Sequence, residues 1–371
     1  MTRADDLGIH IGGAPAGPAN AITDVEGVRV GHTTLVDGDG PLQVGSGPVR
    51  TGVTVVVPCE NVGSRVLFAG CHRLNGNGEL TGLEWVRESG VLTSPVAITN
   101  THSVGIVRDA LVSAQVRSKP PGVVPWSLPV VGETWDGLLN DIDGMHVRPE
   151  HVWAALESAS GGAVPEGNVG GGTGMVCHQF KGGIGTASRI VEVSGDRSTV
   201  GVLVQANYGR RARLTVDGVP VGREVPVDEI PAPYDDRRRI PGSGSIIVVV
   251  GTDAPLLPHQ CERLAQRAGL GIARSGGVGA NTSGDLFLAF ATGNAHLPLP
   301  SEHDPSSPVM TVRMLPDAGI TALFEAAVDA TEEAILNALL AAETMTGRDG
   351  ITAYALPHGR LIECMRAYGR R

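Results

Sequence analysis

Short runs of β-branched and other apolar residues recur along the chain and predict buried strands. The run at 246–250 (IIVVV) has five consecutive β-branched residues, which is typical of a strand covered on both faces. Glycine, proline and polar residues separate such runs from one another. The runs that predict strands are 53–58, 95–98, 128–131, 188–193, 199–205, 246–250 and 285–291.

Other segments carry apolar residues at helical spacing. Between 316 and 345, for example, Leu323, Ala327 and Ala330 fall on one face of a helix. The segments that predict helices are 79–89, 149–159, 257–268, 316–345 and 359–368. Because strands and helices follow each other in mixed order, the pattern favours an α/β (α+β) class with layered sheets and helices.

The stretch from 217 to 244 departs from both patterns. Its prolines punctuate a charged sequence that has no apolar period. We therefore expect an exposed, extended connector that ends where the 246–250 strand begins.

Composition and charge exclude several classes of protein. Hydrophobic residues make up 42% of the 371 residues, which excludes a disordered chain, and the 52 glycines lack the three-residue period of collagen. The net charge of −10 argues against a nucleic-acid partner, and the densest basic run, 237–239, directly follows two aspartates. Lys119 and Lys181 are the only lysines, and neither has an obvious setting as a nucleophile.

The five cysteines predict free thiols in a reducing compartment. Their number is odd, their spacing is wide and no CxxC pair occurs, so neither a disulfide framework nor a metal site is expected. The first residues lack the basic and apolar regions of a signal peptide, and no apolar run is long enough to span a bilayer. We therefore expect a cytoplasmic protein without a membrane partner.

Two glycine clusters, 168–174 and 181–185, raise the possibility of a phosphate-binding loop. Neither follows the strand, G-x-G-x-x-G and helix order of a dinucleotide site, and the lysine and hydroxyl residue of a Walker loop are missing. Close approach of packed backbone segments explains such glycines equally well. A nucleotide-binding or other small-ligand-binding protein stays open as one alternative function.

The Gly244–Ser245 pair offers a different chemistry, because it joins the connector to the 246–250 strand. A G-x-S-x-G nucleophile elbow does not fit, since Pro241 and Ser243 stand where the first glycine would be. If the Gly244–Ser245 bond is cut, however, Ser245 gains a free α-amine next to its own hydroxyl. An α-amine has an ordinary pKa between about 7.7 and 8.0, so it could act as the base for that hydroxyl.

Eight sequence blocks, in the same order over nearly the whole chain, resemble the L-aminopeptidase/D-esterase-amidase family. This family includes the β-peptidyl aminopeptidases and is related to the nylon-oligomer hydrolases. The blocks are 24–32, 75–82, 133–141, 167–175, 180–188, 206–209, 244–256 and 281–287. The resemblance implies a four-layer αββα sandwich similar to N-terminal-nucleophile hydrolases. It also implies one catalytic domain, 1–371, that cuts itself into a large subunit, 1–244, and a small subunit, 245–371.

The resemblance also implies the catalytic residues. Ser245 would be the nucleophile both of self-cleavage after Gly244 and of catalysis. Asn207, in the sequence Ala-Asn-Tyr-Gly, would donate its side-chain amide to the oxyanion. Ser283 and Asp285, in Ser-Gly-Asp, would lie beside Ser245 and hydrogen-bond its hydroxyl and amine. From sequence alone, Asn207 and the Ser-Gly-Asp segment could equally be turn-forming residues.

Glu133 and Trp135 are the candidate substrate-binding residues. Glu133 would hold the free amine of the substrate, although it could also be a surface or helix-start carboxylate. Trp135 stands where related enzymes can have a tyrosine, and it offers an indole N–H and an apolar wall instead of a hydroxyl. Some β-peptide-cleaving relatives have Glu at the position of Asp285, so a preference for β-peptides does not follow.

These observations together predict a cofactor-free, self-processing serine aminopeptidase and amidase-esterase acting on short peptides, amides or esters. By resemblance it would form a homo-oligomer, a tetramer, of processed heterodimers. Two further alternatives stay open besides a binding protein. One is an amidase that cleaves linear amide oligomers without needing a free amine, and the other is a processed but inactive scaffold.

Overall fold

The computed structural model describes residues 1–119, 126–234, 244–299 and 309–370, which form thirteen strands, seven α-helices and short 3-10 turns. The strands are β1 (Arg29–Asp37), β2 (Val49–Val57), β3 (Phe68–Arg73), β4 (Val96–Asn100), β5 (Val130–Thr134), β6 (Val176–Cys177), β7 (Phe180–Lys181), β8 (Gly183–Val193), β9 (Asp196–Asn207), β10 (Ser245–Thr252), β11 (Gly284–Ala291), β12 (Met345–Thr346) and β13 (Thr352–Ala353). The helices are α1 (Leu83–Ser89), α2 (Val104–Ser118), α3 (Pro149–Glu157), α4 (Val221–Glu224), α5 (Pro258–Arg274), α6 (Thr321–Leu340) and α7 (His358–Ala367).

Two larger sheets form the centre of the molecule. The first has the strand order β1-β2-β4-β5, and the second has the order β3-β11-β10-β9-β8. In the second sheet, β10 runs parallel to β11 and antiparallel to β9. The remaining strands form two hairpins, β6-β7 and β12-β13. As the middle strand of the second sheet, β10 is hydrogen-bonded on both edges.

The residues of β10 alternate between two hydrophobic cores. Ile247 and Val249 face the space between the two sheets, where they meet residues such as Ile98 of β4. Ile246 and Val248 face the opposite side, where α5 and α6 cover the sheet. Because successive side chains of a strand point to opposite faces, a strand between two apolar layers needs an unbroken apolar run. This requirement explains the sequence IIVVV.

Helices cover the outer face of each sheet and complete four layers. Helices α2 and α3 pack on the first sheet around Val55, Ala97 and Val131. Helices α5 and α6 pack on the second sheet. The order helix, sheet, sheet, helix confirms the αββα sandwich that the family resemblance implies.

Each predicted strand or helix segment overlaps an element of the same type, but some elements were missed. The missed elements are β1, β3, α2, α4 and the four short hairpin strands β6, β7, β12 and β13. The predicted exposed connector is wrong in its first part, because Val219, Val221 and Val225 are buried and α4 lies among them. Valines spaced between the prolines pack into the core beside α6 and α7, which the charged neighbours concealed. The 237–239 basic run and Ser243 lie outside the described residues.

All five cysteines lie among the described residues, and each is buried with a free thiol. Within the described part of the chain, no helix combines the length and apolar character needed to cross a membrane.

Candidate active site

Ser245 lies at the first position of β10, between the ends of two neighbouring strands. On one side its register partner is Asn207, the last residue of β9, and on the other it is Gly284, the first residue of β11. Ser245 is buried, and its Oγ accepts a hydrogen bond of 3.1 Å from the Gly284 N–H. The central position of β10 therefore holds one hydroxyl rigidly where three strand ends meet.

Gly244, which precedes this serine, has a backbone conformation that favours glycine. Its φ of +147° lies in the region that L-residues with a side chain rarely adopt. Space is not the constraint, because a Cβ at this position would lie 3.9 to 4.0 Å from its nearest neighbours, which include Ser283 Oγ. Glycine is needed here to bring the chain into β10 at this angle.

The side-chain amide of Asn207 is oriented by two backbone groups. Its Oδ1 accepts a hydrogen bond of 2.8 Å from the Val176 N–H, and its Nδ2 donates one of 3.0 Å to the Trp135 carbonyl. A donor at the oxygen and an acceptor at the nitrogen define which way the amide points. The second Nδ2 hydrogen is not needed for either contact, so it can serve an oxyanion that forms on a substrate at Ser245.

Ser283 and Asp285 flank Gly284, the register partner of Ser245. Ser283 Oγ donates a hydrogen bond of 2.6 Å to Asp285 Oδ1, and both residues are buried. Burial raises the pKa of the Asp285 carboxyl above its ordinary value, while the hydrogen bond from Ser283 opposes that rise. The structure thus places the Ser-Gly-Asp segment beside Ser245, with the Ser283 hydroxyl directed to the Asp285 carboxylate.

Asn75 is a residue of this site to which sequence reasoning assigned no function. Its Oδ1 accepts a hydrogen bond of 2.6 Å from the Asp285 N–H, and its Nδ2 donates one of 3.0 Å to Asp285 Oδ2. It therefore clamps both the backbone and the carboxylate of Asp285. The only signal in the sequence was its position in the 75–82 block, which carries no motif that predicts such a contact.

Glu133 lies in β5 of the first sheet and is 3% exposed. Its Oε1 accepts a hydrogen bond of 2.9 Å from the Glu79 N–H, and its Oε2 accepts one from the Thr101 hydroxyl. Burial raises the pKa of its carboxyl. A Cβ on Gly78 would lie 3.0 Å from both Glu133 Oε1 and the Gly284 Cα, so a bare glycine separates this carboxylate from the strand next to Ser245.

Trp135 is half-buried and lies on the other side of Asn207. Its carbonyl accepts the Asn207 hydrogen bond described above, and the residue lines a narrow crevice that Val176 and Tyr208 also line. Trp135 therefore forms part of the wall next to the Asn207 amide, and its main-chain oxygen helps to orient that amide.

A cleft of about 300 Å³ opens beside the strand ends. Its lining includes Gly244, Ser283 and Asp285, together with Tyr208 and Arg213. Glu133 is not among the described residues that line it. The volume is at the lower end of the range for small-ligand sites.

The first of the two glycine clusters that could form a phosphate-binding loop, 168–174, lies between the sheets. Gly170, Gly171 and Gly172 are buried, and a Cβ on Gly171 would lie 2.1 Å from Gln205 Oε1. On Gly172, a Cβ would lie 2.4 Å from the Ile184 backbone nitrogen. These glycines permit close packing of backbone, as the alternative explanation predicts, and present no open cradle for a phosphate.

Comparisons with known proteins find relatives over nearly the whole chain. The profile of peptidase family S58 matches residues 20–353. The beta-peptidyl aminopeptidase BapA of Sphingosinicella microcystinivorans is 50% identical over an alignment of 375 residues, gaps included. The alignment covers 99% of this chain and 93% of that protein. The BapA of Sphingosinicella xenopeptidilytica is 44% identical and covers 98% of this chain and 91% of that protein.

Solved structures are similar over the full length as well. A beta-aminopeptidase from Burkholderia sp. has 51% identity and a TM-score of 0.91, with 100% of both chains covered. The L-aminopeptidase D-ala-esterase/amidase from Ochrobactrum anthropi has 44% identity and a TM-score of 0.88, with 100% of this chain and 99% of that chain covered. The latter structure is described as a prototype for the serine aminopeptidases and a variant of the Ntn hydrolase fold.

Proposed function

The chain belongs to peptidase family S58 and is an aminopeptidase, and on this premise we propose that it cuts itself between Gly244 and Ser245. The observation that carries the proposal is the register of β10, which pairs Ser245 with Asn207 on one side and with Gly284 on the other, where the Gly284 N–H donates to the Ser245 hydroxyl. The products would be a large subunit, 1–244, and a small subunit, 245–371.

Self-cleavage would proceed through an ester. Ser245 Oγ attacks the Gly244 carbonyl carbon, the peptide C–N bond breaks, and the hydroxyl proton passes to the departing nitrogen, which becomes the free α-amine of Ser245. Water then hydrolyses the ester and leaves a carboxylate on Gly244. The φ of +147° at Gly244 supports this step, because a glycine allows the carbonyl to approach the hydroxyl of the next residue.

The released α-amine would be the general base of the mature enzyme. It accepts the Ser245 hydroxyl proton while Oγ attacks the carbonyl of the first residue of a substrate. The free Nδ2 hydrogen of Asn207 donates to the developing oxyanion, an interaction worth about 2.7–4 kcal/mol in comparable sites. The proton passes to the leaving amine, and water then releases the acyl group from Ser245.

Ser283 and Asp285 would hold this amine. A nearby α-ammonium favours the ionised form of Asp285 and opposes the effect of burial on its pKa. Ser283, which already donates to Asp285, can rotate its hydroxyl to relay a proton between them. Asn75 would keep the carboxylate in place during these steps.

We propose short peptides, amides and esters with a free amine as substrates. Glu133 would receive the substrate ammonium beyond Gly78, and Trp135 would form an apolar wall. The similarity to BapA makes peptides with an N-terminal β-residue one class to test. We also propose a cytoplasmic homo-oligomer of processed heterodimers, a tetramer on the family resemblance, without nucleic-acid or membrane partners. Light scattering of the processed protein would measure its oligomeric state.

A denaturing gel with N-terminal sequencing tests the proposal directly. Purified wild-type protein should give fragments of about 25 and 13 kDa from the 38.3 kDa chain, and the smaller one should begin at Ser245. Ser245→Ala should remain whole and inactive, whereas Ser243→Ala, the matched control, should still be cut. Normal processing of Ser245→Ala, or active protein without a chain that begins at Ser245, would contradict the mechanism.

A substrate panel separates the alternatives. Aminoacyl p-nitroanilides with L-, D- and β-residues should be cleaved when the amine is free and resist cleavage when it is acetylated. Equal rates on free and acetylated substrates would instead support an amidase for linear amide oligomers. A whole, inactive protein that binds a nucleotide would support the binding-protein alternative, and a processed protein inactive on the entire panel would support a scaffold.

A further inference from the structure

A tight hairpin formed by β6 and β7, residues 176–181, packs against the end of β9. His178 and Gln179 at its tip have φ values of 49° and 62°, which fit a type I′ turn. The hairpin contacts the last residue of β9 and the residue that follows it. Val176 donates its N–H to Asn207 Oδ1, and His178 donates its N–H to the Tyr208 carbonyl at 2.6 Å. The orientation of the Asn207 amide therefore depends on this hairpin.

Lys181, the last residue of the hairpin, has no exposure to solvent. Its Nζ donates to three main-chain carbonyls: that of Gly172 at 3.3 Å, that of Met175 at 2.8 Å and that of Gly182 at 2.8 Å. Three acceptors match the three N–H groups of an ammonium. Burial lowers the pKa of Lys181 to about 7, and the nearby Asp136 carboxyl opposes this effect.

The Met175 carbonyl connects the lysine to the active site. The carbonyl of Met175 and the N–H of Val176 belong to the same planar peptide group. Lys181 Nζ binds the oxygen of this group, and Asn207 Oδ1 binds its N–H. The Gly182 N–H also donates to the Met175 carbonyl, at 2.9 Å. Holding the oxygen fixes the plane of the peptide, and it also polarises the N–H toward Asn207.

We propose that Lys181 is a positioning residue for the oxyanion donor: its ammonium fixes the Met175–Val176 peptide group, which in turn orients the Asn207 amide. Lys181 does not touch the substrate. This inference rests on the proposed function, because it assigns Asn207 to the oxyanion. Burying an ammonium whose hydrogen bonds all go to neutral carbonyls lowers the stability of the fold. If Lys181 served only to fill space, an apolar side chain would do so with a smaller loss of stability.

A double-mutant cycle tests the inference. Lys181→Met, Asn207→Ala and the double variant are compared with wild type, with rates expressed per processed active site as counted by N-terminal sequencing. We expect Lys181→Met to lower kcat about tenfold or more and to leave KM within about twofold. In the Asn207→Ala background, the same substitution should have little further effect, because the group it positions is gone. Lys119→Met, the control, replaces the lysine that directly follows α2 and should behave as wild type.

Additive effects of Lys181→Met and Asn207→Ala would overturn the inference, as would an effect of Lys181→Met on KM alone. If Lys181→Met does not fold, Lys181→Gln, which keeps two N–H donors, replaces it in the cycle. Failure of both variants to fold would assign Lys181 to the fold and not to the site. If wild type and Lys119→Met are themselves inactive on the whole substrate panel, the proposed function fails. That result differs from additive effects of the two substitutions in an active enzyme, which would overturn only the role of Lys181.

Discussion

Ser245 and Asn207 are antiparallel register partners at the same end of β10 and β9. Ser245 carries a hydroxyl at the start of the central strand, and Asn207 carries an amide held by Val176 and Trp135. Main-chain pairing in the sheet sets the spacing of the two groups, so neither depends on a flexible loop. Such an arrangement is suited to catalysis, because preorganised donors need no reorganisation when charge develops.

Replacing Asn207 tests the oxyanion assignment. Asn207→Ala should lower kcat about 10²–10³-fold, because the donor acts on charge that develops in the transition state, and KM should change little. Steady-state kinetics on an aminoacyl p-nitroanilide would measure both constants. Asn168→Ala, which removes an exposed amide bonded to the Glu343 carbonyl, is the control and should not change kcat. A rise in KM at constant kcat would contradict the assignment.

Replacing Gly244 separates processing from catalysis. Gly244→Ala should slow self-cleavage. A φ of +147° costs a residue with a Cβ about 1–3 kcal/mol, and relief of that strain would move the carbonyl of residue 244 away from the Ser245 hydroxyl. Once cut, the enzyme should have the wild-type kcat, since residue 244 is then a free carboxyl end. A time course on a denaturing gel, combined with rates per processed site, gives both quantities. Wild-type processing of Gly244→Ala would show that this backbone conformation is not required.

The clamp of Asn75 on Asp285 predicts a change in pH dependence. The Asn75 side chain donates to the carboxylate and lowers the pKa of Asp285, so its loss in Asn75→Ala should raise that pKa. If ionised Asp285 is needed, the acid limb of the kcat/KM profile should move to higher pH. Asn77→Ala is the control, because the Asn77 side chain donates only to the exposed Thr282 carbonyl. An unchanged acid limb in Asn75→Ala would count against a catalytic carboxylate at 285.

His178 predicts a loss of stability in mild acid. The imidazole is fully buried, and burial lowers its pKa from 6.5 to about 4. The unfolded chain therefore binds a proton that the folded chain resists, so stability is full above pH 6.5 and falls as the pH drops toward 4. The shift corresponds to about 3 kcal/mol of unfolding free energy.

Urea unfolding between pH 4 and 7 would measure this loss. His178→Asn should flatten the pH slope, because asparagine also tolerates a φ near 49° but does not titrate. His10→Asn removes an exposed histidine and should leave the slope as in wild type. Equal slopes for wild type and His178→Asn would show that another group controls acid stability.

The elements that were predicted and those that were missed differ in a simple physical way. Strand β10 could be predicted because a strand buried on both faces must be apolar throughout. Strand β3 is short and contains Gly70, where an added Cβ would lie 2.2 Å from the Glu262 nitrogen of α5. The glycine is required by this close contact with the helix, and it interrupts the apolar pattern that would predict a strand. Helix α2 contains Gly105 and several valines, which are weak helix formers, and its helix is stabilised by packing on the first sheet.

The eight sequence blocks were sufficient to identify the family, and the comparisons confirm that resemblance. The sequence by itself also determined the apolar strand and the Gly-Ser junction before it, because both are local properties of consecutive residues. Only the tertiary structure decided that Asn75 binds Asp285 across 210 positions, and that Lys181 and Asn207 share one peptide group. Such contacts depend on strand register and on the packing of distant segments, and single positions in a sequence do not encode either one.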